Sequence, residues 1–204
     1  MPRICITLCL FFGVNSAILA QNTLPEFNGG QELLFQFVAQ NLNYPVKSKE
    51  NCEQGTVLVR FCIQADGKID SLEVKNAVDS LLAAEAMRLV RLTDAQWIPA
   101  MVEGAAVRSF FTLPVAFVLN DGKCPTQADF YNQAADLLDE KKFQAALEAI
   151  NKAIAINPFG KYYYQIRGKA KLGLGDAQAA CDDFKYSVML GNALAQALVT
   201  QNCP

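Results

Sequence analysis

The sequence predicts an α+β fold: a small three-stranded antiparallel sheet with helices, followed by an all-α array of helical hairpins. Three observations carry this. Thr56 to Ile63 alternates, with Val57, Val59, Phe61 and Ile63 on one face and Leu58, Arg60 and Cys62 on the other, as a strand with one buried face requires. Asp66-Gly67 then supplies the positive φ angles of a tight turn, and Ile69 to Val74 returns as a second strand. Beyond Cys124-Pro125 the apolar period becomes helical, through Ala134, Leu137, Leu138, Phe143, Ala146, Leu147, Ile150, Ala153 and Ile154 to a stop at Pro158.

The chain start reads differently from the rest. Met1 to Arg3 give a short positive segment, Ile4 to Val14 an apolar run, and Ala17-Ile18-Leu19-Ala20 precede the polar Gln21. That is the pattern of a signal peptide over residues 1–20, cleaved after Ala20, and it predicts export to the periplasm. The other reading is an uncleaved inner-membrane anchor facing the periplasm. The apolar run is shorter than the ~20 residues that cross a bilayer, and membrane association is expected only if this segment is retained.

Composition excludes several functions. The net charge of −2 and the lack of a basic stripe argue against nucleic acid. The chain contains no histidine, which removes Ser-His-Asp and Cys-His catalysis and most zinc enzymes. No Cys-x-x-C pair is present, so neither a metal site nor a cofactor is expected, and no catalytic residue is assigned. Loss of residues 1–20 leaves Cys52, Cys62, Cys124, Cys181 and Cys203, an odd number that allows two disulfides and one remaining thiol.

Between the two strands and the array, the remaining elements follow in order. Leu33, Leu34, Phe37 and Val38 give Gln31 to Leu42 a helical apolar face, and Tyr44-Pro45 stops it. Ser80 is placed as the cap of a helix running to Arg91, with Leu82, Ala86, Leu89 and Val90 inward. Val107 to Leu119 is expected as one long final strand. The first module then covers residues 25–120, Asn120 to Pro125 forms a linker, and helices occupy residues 126–204.

The segments Pro25 to Gly30, Tyr44-Pro45, Gly55 to Phe61, Asp66 to Ile69, Glu85-Ala86, Trp97-Ile98-Pro99, Gly104 and Leu113 to Phe117 resemble the C-terminal domain of TonB. Ala100 departs from that pattern, where glycine is usual. The resemblance implies a periplasmic domain whose last strand accepts a strand-forming segment of a partner, by β-augmentation. The implied partner is an outer-membrane TonB-dependent transporter or another envelope protein. The receiving edge would comprise Ser109, Phe110, Phe111, Thr112, Leu113, Val115 and Phe117, with Tyr44 and Pro45 nearby. The alternative is that this strand is covered and Tyr44-Pro45 only ends a helix. Pro114 lacks a donor within the strand, and an exposed edge could also pair with itself in a homodimer.

A transducing TonB also needs an anchor and a long linker. The seven residues from Ala20 to Phe27, at ~3.5 Å each, span roughly 25 Å at most. An accessory energy transducer in transmembrane transport, with its anchor retained, is therefore the alternative reading to a free binding module.

In the second module Ala134 and Gly168, Ala146 and Ala180, and Ile150 and Phe184 each lie 34 residues apart. This period, with small residues where helices touch, resembles the tetratricopeptide repeat. The resemblance implies a groove carrying Tyr131, Tyr162, Gln165 and Lys169, which otherwise form an ordinary solvated surface. Asn192 to Thr200 is expected as a capping helix, and its return would bring Cys203 to Cys181 as a candidate disulfide.

Overall fold

The computed structural model describes residues 22–77 and 79–204, so the expected signal peptide lies outside the described residues. In chain order the elements are β1 (Glu26–Phe27), α1 (Gly30–Asn41), α2 (Val46–Glu50), β2 (Gly55–Ile63), β3 (Ile69–Asn76) and α3 (Ser80–Arg91). Then follow β4 (Trp97–Ile98), β5 (Ala100–Val102), β6 (Ala105–Val107) and β7 (Ser109–Phe117). The helical array comprises α4 (Gln127–Asp139), α5 (Phe143–Ile156), α6 (Lys161–Gly173), α7 (Ala177–Met189) and α8 (Ala195–Asn202).

The central sheet is antiparallel, with strand order β3-β2-β7. Its inner face carries Val57, Val59, Phe61 and Ile63 from β2 and Leu113, Val115 and Phe117 from β7. Leu82, Ala86, Leu89 and Val90 of α3 pack against them, with Leu34 of α1, Phe27 and Trp97 completing the cluster. This one-sided burial is what the period-two pattern demands. The Trp97 indole sits edge-on to Phe61 at 5.2 Å, and its N–H donates to the Thr93 hydroxyl at 3.0 Å. The β2–β3 turn needs Gly67, whose φ is +81° and whose α-carbon faces the Trp97 carbonyl where a side chain would collide.

The structure differs from expectation at three places. The expected final strand from Val107 divides at Arg108: Ala105–Val107 pairs with Ala100–Val102 in a hairpin, and β7 begins at Ser109. Glu103 and Gly104, both at positive φ, make that hairpin turn. Asp79, in extended geometry, takes the N-cap position expected for Ser80, and its carboxylate accepts from the Ser48 hydroxyl. Leu33 is 47% exposed rather than inward, and Leu34 fills the core.

In the array, α4 with α5 and α6 with α7 form hairpins, and α8 follows them. Thr126 and Asp129 form a reciprocal capping box at the start of α4. Gly168 lets α6 approach α7, since a side chain there would run into the Phe184 ring. Arg167 and Lys171 of α6 both reach the buried Asp183 carboxylate of α7, at 2.6 and 2.7 Å. Cys181 and Cys203 are joined by a disulfide, which ties the segment after α8 to α7.

The array is fastened to the sheet at the start of β2. Cys52 forms a disulfide with Cys124. The Gln54 side chain donates to the Pro125 carbonyl at 2.9 Å and accepts from the Leu119 N–H at 2.7 Å. The Thr56 hydroxyl donates to the Ile156 carbonyl at 2.8 Å. Cys62 is the free thiol among the described residues, and it is buried.

Candidate strand-receiving edge

Strand β7 pairs with β2 alone, from Ser109 opposite Ile63 to Phe117 opposite Gly55. Its other edge faces no strand among the described residues. Which backbone groups that edge presents follows from β2. The Leu58 N–H donates to the Asn76 side chain at 2.8 Å, the Thr56 carbonyl accepts from the Asn76 amide at 3.2 Å, and the Gln64 N–H reaches the Lys68 carbonyl at 2.8 Å. Even-numbered residues of β2 therefore direct their backbone groups toward β3, and odd-numbered ones toward β7.

In an antiparallel ladder hydrogen-bonded and non-bonded pairs alternate. The register then engages Ser109, Phe111, Leu113, Val115 and Phe117 with β2. Phe110, Thr112, Pro114 and Ala116 turn their backbone groups outward. The same alternation sends Leu113, Val115 and Phe117 into the core, while Phe110 and Thr112 are exposed. Of the expected edge residues, Phe110 and Thr112 thus present outward backbone groups that meet no strand among the described residues. Ser109, Phe111, Leu113, Val115 and Phe117 act by holding the strand in place.

A groove of about 430 Å³ runs beside this edge. Phe111, Leu113 and Pro114 line it from β7, Leu34 and Phe35 from α1, and Leu24, Pro25 and Phe27 from the segment around β1. Leu24 is 86% exposed and Phe35 53%, so large apolar side chains stand in solvent around an unpaired edge. Leu24 and Phe35 were not expected in a site. Phe35 carried one signal: it extends Leu33-Leu34 to three consecutive apolar residues, wider than a single helix face.

Tyr44 has a structural position. Its ring meets Phe117 edge-on at 5.6 Å, and its hydroxyl donates to the Glu53 carbonyl at 2.6 Å. Burial, with the Glu53, Asp121 and Asp79 carboxylates adding to it, pushes its phenol up to about 12. Pro45 stands at the N-cap of α2. Neither residue lines the groove beside β7. On the opposite face of the sheet, the Arg60 guanidinium lies 3.9 Å from the Phe110 ring centre, and Arg108 lies 5.5 Å from it.

The expected repeat-groove residues lie apart from this edge. Tyr131 of α4 stacks at 5.6 Å with Tyr163, the neighbour of the exposed Tyr162. Gln165 accepts from the Asn192 side chain at 2.7 Å and so braces the turn before α8. Lys169 is exposed and borders a small cleft with Leu138, Phe143 and Ile166.

The sheet module and the helical hairpins together suggest a protein-interaction module. Residues 40–119 match the family of the Gram-negative bacterial TonB protein C-terminal domain. The chain is 33% identical over 91 residues to the tetratricopeptide repeat and J domain-containing co-chaperone of Cryptococcus neoformans, a match covering 42% of this chain and 17% of that protein. Among solved structures it is similar to the tetratricopeptide repeat domain of Arabidopsis OM64, at 26% identity and a TM-score of 0.37, over 38% of this chain and 66% of that one. It is also similar to the TonB C-terminal domain of Helicobacter pylori, at 19% identity and a TM-score of 0.36, over 43% and 78%. Among the described residues no helix is long and apolar enough to cross a membrane.

Proposed function

We propose that this chain is an exported, periplasmic protein-binding module whose β7 edge accepts a strand-forming segment of an envelope partner, with an outer-membrane TonB-dependent transporter as the leading candidate. The observation that carries this reading is the coincidence of outward backbone groups at Phe110, Thr112, Pro114 and Ala116 with the apolar groove beside them. Backbone pairing supplies affinity without regard to sequence, and the groove supplies selection through alternate side chains of the added strand. Residues of that strand lying opposite Phe111 and Leu113 share their face of the sheet and enter the groove.

The helical array is the scaffold in this reading. It meets the sheet where Thr56 pairs with Ala116, at the far end of the edge, and so bounds how far an added strand can run. Photo-crosslinking in cells from Phe110 and Thr112, with identification of the captured protein, tests the reading. Capture of an envelope protein from both positions is the expected result. Capture of only the chain's own helical array would refute it.

A further inference from the structure

We propose that Pro114 is a specificity residue of the β7 edge, biasing it against pairing with a second copy of itself and toward a foreign strand. Four residues turn outward along β7, and Pro114 lies between Thr112 and Ala116 with a carbonyl but no N–H. Any strand added along the whole edge therefore meets three donors and four acceptors, and one carbonyl of that strand faces the proline ring unanswered.

The count differs for two copies of this chain. Twofold antiparallel pairing of two β7 edges brings in two Pro114 residues, and two carbonyls go unanswered in every register that includes them. A register that keeps both prolines out of the ladder shortens it to Phe110 and Thr112. A foreign strand loses a single bond and can place the affected carbonyl where it bends toward water. The penalty thus weighs about twice as heavily on self-pairing as on partner binding, at an edge whose exposed Leu24 and Phe35 would otherwise favour both.

The site suits this role structurally. Pro114 is opposite Leu58, whose own N–H is directed to Asn76, so the missing donor takes nothing from the native β2–β7 ladder. A proline at Leu113 or Val115 would break that ladder instead.

The preference for a foreign strand rests on the strand-addition reading, whereas the bias against self-pairing does not. Sedimentation equilibrium of the full chain, with its disulfides intact, compares wild type with Pro114→Ala. The variant is expected to self-associate at least about tenfold more tightly, because each copy regains one donor. Adding Thr112→Pro in the same background removes a neighbouring outward donor and is expected to restore wild-type behaviour. Circular dichroism and thermal unfolding establish that each variant is folded, and Pro114→Val takes the place of the alanine variant if that one is not. Folded variants with unchanged self-association would overturn the proposal, as would a wild-type dimer joined through β7. Tighter self-association of Pro114→Ala together with failure of Thr112 to capture any envelope protein would leave this inference standing and remove the partner reading.

Discussion

The Thr56 hydroxyl donates to the Ile156 carbonyl across 2.8 Å in a buried position, joining the beginning of β2 to the last turn of α5. This carbonyl is among the last of its helix, which have no partner within the helix. Thr56→Val keeps the shape of the side chain and leaves the carbonyl unanswered. The variant is expected to lose about 1–3 kcal/mol of stability, read from urea unfolding at constant slope. An unchanged midpoint would mean that water reaches the carbonyl.

The two disulfides are expected to behave differently. Cys52–Cys124 closes 72 residues of chain and fastens the linker to the sheet, whereas Cys181–Cys203 closes 22 and fastens only the segment after α8. Replacing both members of the first pair by serine should cost about 2–4 kcal/mol globally. The same change in the second pair should chiefly increase hydrogen exchange over Ala195–Asn202. Equal loss of protection throughout the chain in both variants would contradict this division.

Glu85 makes part of the stability acid-sensitive. Burial alone would raise its carboxyl, but Arg88 at 2.6 Å and the Asn43 N–H at 2.7 Å together outweigh burial and hold it below the usual range. A carboxyl depressed in the folded state stabilises fully above its unfolded value, and that contribution disappears as pH falls through the folded one. Glu85→Gln is expected to be about 1–3 kcal/mol less stable at neutral pH. The difference from wild type should shrink progressively below about pH 4. A gap that stays constant down to pH 2 would show that the charge is not what matters at this position.

Phe35 separates binding from folding. It projects from α1 beside the β7 edge and is 53% exposed, so Phe35→Ser should change stability by no more than about 0.5 kcal/mol. Loss of that groove wall should weaken capture of the partner about tenfold, since a large aromatic ring contributes heavily to an interface. Crosslinking yield from Thr112, titrated against partner concentration, measures it.

Much of the fold was legible from one-sided burial. Val57, Val59, Phe61 and Ile63 alternate because a single face of β2 meets α3, and Ala134, Ala146, Gly168 and Ala180 recur because helices touch there. The pieces that escaped notice are those too short to produce a period. Strands β1 and β4 have two residues each, β5 and β6 have three, and α2 has five. Pairing of Cys52 with Cys124 depends on a left-handed turn at Cys52, φ 55°, which no local pattern announces.

The candidate edge was legible only as a strand. Which of its residues point outward is a matter of parity, which the Leu58–Asn76 contact between β2 and β3 fixes and for which Pro114, lacking an N–H, was the one signal within β7. Tyr44 shows the converse. Its place in the chain matches the family pattern, yet its ring is taken up by Phe117 and its hydroxyl by Glu53. Leu24 and Phe35 gain meaning only when folding brings them beside Leu113.

Residue-resolved amide hydrogen exchange across β7, in the free protein and with a captured partner at saturation, tests the central claim most directly. In the free protein the N–H groups of Phe110, Thr112 and Ala116 should exchange quickly, while those of Phe111, Leu113 and Val115 are protected by β2. Partner binding should then protect Phe110 and Thr112 and leave the odd-numbered positions unchanged. Protection of Phe110 and Thr112 already in the free, monomeric protein would mean that the edge is covered, and would contradict the account.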